Sequence, residues 1–558
     1  MSIALCYPNY YRLGMSNLGY QIVYHLLNKR SDVVAERVFL PEGQEMSLYL
    51  QSGKSLISLE SQTPLEKFDL VAFSLSFEND YPNILKIMEM GRIPLLSKER
   101  SDPLPFILAG GITTFLNPEP IAVFIDFFLM GEAEVNLNEF IDHFFAFRST
   151  RLKRSEIGRN LAEAIDTVYV PSFYEPEYNQ DGTLKSFSPT ERGIPAKVKV
   201  DHQGSADLQV ALSAITTPDT EFGNRILIEL GRGCARSCRF CAAGYVYRPP
   251  RVHAEAELRA AVETTMQQVK QVGLLSPAVS DIPGIENVTA LILEREGRFS
   301  VSSLRADTLS KNLLDHLKEV GQRTVAIAPE AGSERLRRVI NKHLTSEQIM
   351  HAVNLIARTQ DFAIRLYFLI GLPTETREDL VELVKLVKGI KYNMVKLSAR
   401  RGKIGQLRLS VNCFIPKPFT PFQWSSLENI SSLRKKQQWL KKSLTKEGGI
   451  RVNAELPRWA YVQTLLSVGD RRVGPLLSMS HRLGGNWKRA FRLSEVDPDF
   501  FVYRKKGLNE MLPWDFIDHG ISKRHLVEEY ELALKAEESD VCHVGECYRC
   551  GVCSEFKQ

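Results

Sequence analysis

Between residues 226 and 241 an apolar run, Ile226-Leu227-Ile228-Glu229-Leu230, leads directly into Gly231-Arg232-Gly233-Cys234-Ala235-Arg236-Ser237-Cys238-Arg239-Phe240-Cys241. No other feature narrows the fold as much. A strand must end where three thiols crowd onto one short loop, and the rest of the fold has to present that loop. Three thiolates can hold three irons of a 4Fe–4S cluster and leave the fourth iron open. A fourth cysteine would close such a cluster and confine it to electron transfer. An open iron can bind a small molecule, as an open position does at catalytic metal sites. Arg232, Arg236 and Arg239 would offset part of the negative charge of the thiolate-ligated cluster. Structural zinc is the competing use of the same three thiols.

The other cysteines sharpen this reading. Of nine in the chain, four more crowd together as Cys542, Cys547, Cys550 and Cys553, and only Cys6 and Cys413 stand alone in apolar, strand-like stretches. These two read as small buried hydrophobes. Tight clusters of this kind hold metal in a reducing compartment rather than form disulfides. A cytoplasmic location is the expectation, because the N-terminus Met1-Ser2-Ile3-Ala4-Leu5 has no basic segment followed by an apolar stretch and a cleavage site. No apolar run reaches the roughly 20 residues that span a bilayer, so no membrane partner is expected. The sequence leaves the oligomeric state open.

With 558 residues the chain has room for three or four domains. Residues 1–150 alternate apolar strands (2–6, 37–40, 70–76, 106–109 and 124–130) with helical stretches such as 21–27 and 83–90. That rhythm predicts a parallel, doubly wound, Rossmann-like sheet whose ligands would lie beyond the strand C-termini. Gly110-Gly111 and Gly131 sit at strand ends, where close approach to a ligand would require glycine. Residues 151–225 read as a connector, with Asn179-Gln180-Asp181-Gly182 at the tip of a hairpin. From 226 to 425 the βα rhythm returns, with strands at 225–230, 272–275, 299–304, 324–328, 363–369 and 407–414. Six such units predict a partial (βα) barrel with its chemistry at the strand C-termini. Residues 426–540 read as mainly helical, with Ile430, Leu433, Leu440 and Leu444 on one apolar face, and residues 541–558 as a Cys-rich metal-binding tail.

The C-x3-C-x2-C spacing, the aromatic Phe240 before the third Cys and the position after the first barrel strand resemble the radical S-adenosylmethionine (SAM) superfamily. The resemblance implies that the open iron binds the amino and carboxylate groups of SAM. One electron then cleaves the sulfonium to methionine and a 5′-deoxyadenosyl radical. It also implies an external electron donor, the protein orienting and shielding the cofactor. The residues at the later strand ends become candidate SAM contacts. Ser276 and Ser280 lie where the superfamily often has a Gly-Gly-Glu, which is missing here. Glu330 would accept from ribose hydroxyls, Gly371 would lie in an adenine-side loop, and Arg305 or Arg365 would pair with the SAM carboxylate.

Met15-Ser16-Asn17-Leu18-Gly19, Ala109-Gly110-Gly111, Asn117-Pro118-Glu119-Pro120, Gly131-Glu132-Ala133-Glu134, Ile415-Pro416-Lys417-Pro418 and Gly469-Asp470-Arg471-Arg472 extend the resemblance. They are similar to a poorly characterised family of radical SAM proteins with a cobalamin-binding-type N-terminal domain. The chain departs from that pattern at one point. Cobalamin domains that ligate cobalt through histidine carry Asp-x-His-x-x-Gly, whereas His25 and His143, the histidines before residue 150, lack that context. Either cobalamin binds without this ligand, or the domain is a scaffold or substrate-binding unit.

In the tail, Cys542-x4-Cys547-x2-Cys550-x2-Cys553 is similar to the ferredoxin run, which favours a second iron–sulfur cluster over zinc; a metal-free tail is the third reading. Charge is uneven. Residues 391–451 hold fourteen Lys or Arg and two acids, a local +12 against −7 for the remainder and +5 overall. Such a stretch attracts phosphates or is a solvated helix face. The radical SAM methylthiotransferases that act on tRNA or a ribosomal protein share this broad architecture, so methyl or methylthio transfer to RNA or protein is the leading expectation. The competing class is a non-catalytic iron–sulfur protein, RNA- or ribosome-associated or redox-sensing.

Overall fold

The apolar runs of the first 130 residues form one sheet because each is buried on both faces and can pair only with its neighbours. The computed structural model describes residues 1–150, 152–204, 207–446 and 448–553. They divide into two units. The first comprises Met1–Gly204, Ser213–Asn224 and Gln463–His519, and the second comprises Ser205–Leu212, Arg225–Val462 and Gly520–Gln558.

In the first unit β1 (Ser2–Tyr7), β2 (Val34–Phe39), β3 (Leu70–Ser74), β4 (Phe106–Gly110) and β5 (Phe127–Leu129) run parallel in the order β2-β1-β3-β4-β5. β6 (Val168–Tyr169) closes the β5 edge antiparallel. The order reverses between β1 and β3, which makes the crevice beyond their C-termini the topological switch point. Phe106, Phe127, Phe140 and Phe144 pack as an aromatic layer, with Phe106 and Phe127 stacked at 5.2 Å. The connector holds a hairpin of β7 (Tyr174–Tyr178) and β8 (Leu184–Pro189), turned at Asn179–Gly182 as the sequence predicts. β9 (Val198–Lys199) pairs in parallel with Ile517–Asp518.

Two expectations change here. A Cβ on Gly111 would lie 2.4 Å from the Leu75 carbonyl oxygen, and one on Gly131 would lie 2.2 Å from that of Asp201. These glycines therefore make room for the protein's own backbone rather than for a ligand. The residues after 425 do not form one region: 463–519 belong with the first unit. The motifs at Asn117 and Gly469 meet there. Asn117 Nδ2 donates to the carbonyls of Ser467 (3.1 Å) and Gly469 (2.7 Å), and Arg471 Nε donates to Glu119 Oε2 at 3.1 Å.

The second unit carries seven parallel strands in chain order. β10 (Ile226–Glu229), β13 (Gln271–Leu275) and β14 (Arg298–Val301) form one sheet. β15 (Thr324–Glu330), β16 (Ala363–Ile370), β17 (Leu407–Cys413) and β18 (Ile450–Ala454) form a second. A parallel bridge between Leu304 and Ile327 joins the two sheets. β18 is a seventh strand beyond the six read from the sequence. Between β10 and β13, the short β11 (Gly231–Arg232) and β12 (Arg251–Val252) pair antiparallel and flank the cysteine loop. Along β16, Ile364, Leu366, Phe368 and Ile370 are fully buried while Arg365, Tyr367 and Leu369 are half-buried, so one face meets the helices and the other stays open. Helices such as Ser346–Thr359, capped by Thr345, connect the strands. Cys6 and Cys413 are buried in their strands.

Candidate functional site

The cysteine loop begins at the C-terminus of β10, where catalytic groups of a (βα) barrel belong. A Cβ on Gly233, at φ +76°, would lie 2.6 Å from the Tyr247 carbonyl oxygen, so the loop can double back only with glycine there. Ser237 sits at φ 54° and is held on three sides. Its carbonyl accepts from Tyr245 Oη (3.2 Å) and Asn341 Nδ2 (3.3 Å), and its hydroxyl accepts from Arg248 Nη2 (2.9 Å).

The three thiols face one another closely enough for each pair to interact electrostatically. Burial, followed by the charges of Cys238 and Cys234, pushes the Cys241 thiol up to about 12, and burial also raises Cys234. The backbone N–H groups of Ala243 and Gly244 hydrogen-bond Cys241 sulfur, and that of Arg236 bonds Cys234 sulfur. Such donors stabilise thiolate once iron displaces the proton. The donor set therefore fits an iron–sulfur cluster. Among the described residues no three His, Cys, Asp or Glu side chains stand ready to share a single metal ion, and a cubane holds its thiolates farther apart than one ion does.

Beside the loop, Arg236 spans Asp281 (2.7 and 2.9 Å) and Asp307 (3.2 Å), while Arg305 pairs with Asp307 at 2.9 and 3.1 Å. Ser280 Oγ accepts from the Arg305 backbone N–H at 3.0 Å and from Thr308 Oγ1 at 2.9 Å. Asp307 is held below its ordinary pKa: burial opposes ionisation, but Arg305 and Arg236 outweigh it. Arg305 is therefore committed to a carboxylate of the protein. Arg232 and Arg239 are committed likewise, to Glu229 at 2.9 Å and Glu529 at 3.0 Å, so their charges are largely matched before any cluster is considered.

The other candidates scatter along the strand ends. Ser276 Oγ accepts from Ala278 N–H at 3.2 Å. Glu330, at φ 65° beyond a bulge in β15, lies 3.5 Å from Lys342 Nζ. Gly371 N–H donates to Glu375 at 3.1 Å, and Glu375 in turn meets Lys436, which also holds Glu428 at 2.6 Å. Arg365 departs from its expected place. It is the third residue of β16, five before the strand ends, which places it roughly 17 Å below the rim.

The tail cysteines join this site. Cys542 N–H donates to the Ala235 carbonyl at 2.7 Å, directly beside Cys234. Cys550 and Cys553 are buried, and Cys542 interacts electrostatically with the other three thiols. Burial raises the Cys542 thiol; burial also works on Cys547, yet the Arg549 amide and guanidinium leave it below the usual thiol range. Arg248 lies between the two sets, bonding Ser237 on one side and Cys550 on the other, with His525 Nε2 at 3.2 Å. Burial and then Arg248 lower the His525 pKa to about 4, so the ring is neutral and accepts from the guanidinium. A second buried chain, Arg239–Glu529–Ser539–Asn341, fixes the segment ahead of the tail. Sequence reasoning missed Asp281 and Asp307, although Asp281 follows Ser280 and Asp307 lies two residues after Arg305. Arg248, Glu529 and His525 carried no local signal.

At the switch point of the first unit, Asn9 Nδ2 donates to Asp80 Oδ1 (2.7 Å), Asn17 Nδ2 to Ser76 Oγ (3.0 Å) and Gln463 Nε2 to Glu78 Oε2 (3.0 Å). Burial and then the neighbouring Glu78 raise the Asp80 pKa to about 6. His25 and His143 lie on the helices Leu18–Asn28 and Ala133–Ser149 rather than at this rim. His25 and His143 therefore offer no cobalt ligand at this rim.

Residues 19–171 match a family model described as radical SAM proteins, N-terminal, and residues 228–387 match that of the radical SAM superfamily. The chain is 31% identical over 481 residues to the uncharacterized protein MJ0966 of Methanocaldococcus jannaschii, covering 86% of this chain and 91% of that one. It is 26% identical over 188 residues to a ribosomal-protein methylthiotransferase of Petrotoga mobilis, covering 31% of this chain and 42% of that enzyme. It is also 26% identical over 216 residues to a tRNA-2-methylthio-N(6)-dimethylallyladenosine synthase of a Ruegeria species, covering 35% and 48%. The chain thus spans less than half the length of either methylthiotransferase.

Proposed function

The chain belongs to the radical SAM superfamily, and from that premise we propose that it is an enzyme cleaving S-adenosylmethionine reductively at a 4Fe–4S cluster held by Cys234, Cys238 and Cys241. When bound, the cluster supplies the electron that breaks a carbon–sulfur bond of the sulfonium, yielding methionine and a 5′-deoxyadenosyl radical. The observation that carries this reading is the convergence of three thiols, with backbone N–H groups on two of them, at the C-terminus of β10.

The chain's own groups have distinct tasks. The thiolates hold the irons, and the N–H groups of Arg236, Ala243 and Gly244 offset their charge. We favour Ser276, Ser280 and Glu330 as polar contacts to SAM in addition to their present partners, with Gly371 on the adenine side. Arg305, engaged by Asp307, fixes the rim. An external one-electron donor supplies the reductant. Anaerobic reconstitution with iron, sulfide, SAM and dithionite is expected to yield 5′-deoxyadenosine. A negative result rejects the reading in favour of a non-catalytic iron–sulfur protein, and undiminished product from Cys238→Ala rejects Cys234, Cys238 and Cys241 as the ligand set.

After cleavage, methyl or methylthio transfer to RNA or protein is the reaction class we favour, supported by the two methylthiotransferase relatives. For the tail thiols we favour a second iron–sulfur cluster, supported by the contact of Cys542 with Ala235. Metal analysis of Cys550→Ala tests this: iron per chain is expected to fall, whereas unchanged iron with lost zinc assigns zinc. For the first unit, we favour any bound cobalamin having no protein ligand on cobalt.

A further inference from the structure

The open face of the four-stranded sheet in the second unit carries a row of arginines. β16, β17 and β18 run parallel and in register, so Arg365 stands beside Arg408 and Arg408 beside Arg451. Strands lie about 4.8 Å apart, and like charges directly opposite each other destabilise a sheet. Three guanidinium groups therefore share one short line at an electrostatic cost. Arg365 and Arg408 are half-buried and Arg451 is exposed, whereas the adjoining Ile364, Leu366, Leu407 and Leu409 are buried on the opposite face.

Among the described residues nothing repays this cost. The side chains of Arg365 and Arg451 make no hydrogen bond or ion pair among the described residues, and the Arg408 guanidinium reaches only the neutral Gln406 Oε1, at 2.8 and 3.1 Å. The arginines at the rim behave oppositely, since Arg236, Arg239 and Arg305 each meet a carboxylate. The only acid in the four strands, Glu330, lies at the C-terminal end of β15 and faces Lys342.

We propose that this row binds the phosphate groups of the substrate. A guanidinium matches phosphate in shape and stays charged. A line of three calls for an anion with several charges, which one carboxylate does not supply. The row lies roughly 17 Å below the rim, so it would anchor a substrate by an end remote from the reacting atom. Such remote binding energy serves to position the reacting end. The inference deepens the proposed function by naming the substrate class, and it rests on the barrel being where substrate binds.

Binding can be measured on the full chain without SAM turnover. Calorimetry with tripolyphosphate, and separately with a short single-stranded oligoribonucleotide, distinguishes a phosphorylated small molecule from an RNA. Salt-dependent binding of at least one is expected. Arg365→Gln and Arg408→Gln should each weaken it about tenfold, Arg408→Lys should restore part of it, and Lys441→Gln with Lys442→Gln on the exposed helix should leave it nearly unchanged. Arg451→Gln, at an exposed position, provides a variant with little risk to folding. Failure of the wild-type chain to bind either probe, or wild-type affinity in all the Arg→Gln variants, overturns the proposal. Weakening by the helix variants alone moves the site to the surface and also overturns it. Phosphate binding without 5′-deoxyadenosine formation would leave this inference standing while the proposed function fell.

Discussion

The chain builds a parallel sheet twice and treats the two C-terminal rims in opposite ways. At the rim of the second unit Arg232, Arg236, Arg239 and Arg305 each meet a carboxylate, even the deeply buried Arg239, which has Glu529. At the rim of the first unit the buried Asp80 has an amide donor, Asn9, and the like charge of Glu78 beside it. The same architecture yields one rim whose charge is settled by the protein and one where burial raises the pKa of a carboxyl group to about 6. The first arrangement fixes the cysteine loop; the second leaves a carboxyl group that titrates within the mildly acidic range.

Cys238→Ala should have the largest effect, reducing 5′-deoxyadenosine formation by the reconstituted enzyme to background while leaving the melting behaviour of the first unit unchanged. Next, Arg239→Met leaves Glu529 buried without its partner and should cost about 3–5 kcal/mol of stability, read by denaturant unfolding. Iron retention should fall with it, because Arg239 ties the loop to the segment ahead of the tail.

Asp80 tests the opposite rim. Its folded-state pKa, about 6, lies above the unfolded value near 3.9. The folded state therefore holds a proton that the unfolded state releases, and stability falls as pH rises from about 4 to about 6. Two pKa units correspond to about 3 kcal/mol at most. Asp80→Asn should flatten this dependence and melt higher than wild type above pH 6. A wild-type stability curve flat across that window would remove the contrast between the rims. The smallest effect is expected for Lys311→Gln, which breaks a pair with Asp315 on an exposed helix face and should shift stability by no more than about 0.5 kcal/mol.

Much of this was legible in advance because it is local. Apolar runs gave the five parallel strands of the first unit and six of the second, and the spacing of Cys234, Cys238 and Cys241 located the loop. β18 escaped notice because Ile450-Arg451-Val452-Asn453-Ala454 is short, polar on alternate residues and set in a basic stretch. The depth of Arg365 was already implied by the strand read at 363–369, which the structure extends by one residue to Ile370. One sequence could not reveal that Asn117 and Glu119 wait for Gly469 and Arg471 some 350 positions later. That contact depends on the return of the chain, which leaves no periodic trace.

The division of the first unit between the two ends of the sequence has a consequence for how the protein is made. At about 5–20 residues per second a ribosome needs roughly 13–52 s to pass from residue 204 to residue 463. Throughout that interval the nascent first unit lacks the strand at Ile517–Asp518 and the partners of Asn117 and Glu119, while all seven barrel strands emerge ahead of them. The barrel is thus fully synthesised before the domain that precedes it can be finished, and a chain stalled in that window would expose an incomplete sheet edge to the quality-control machinery of the cell.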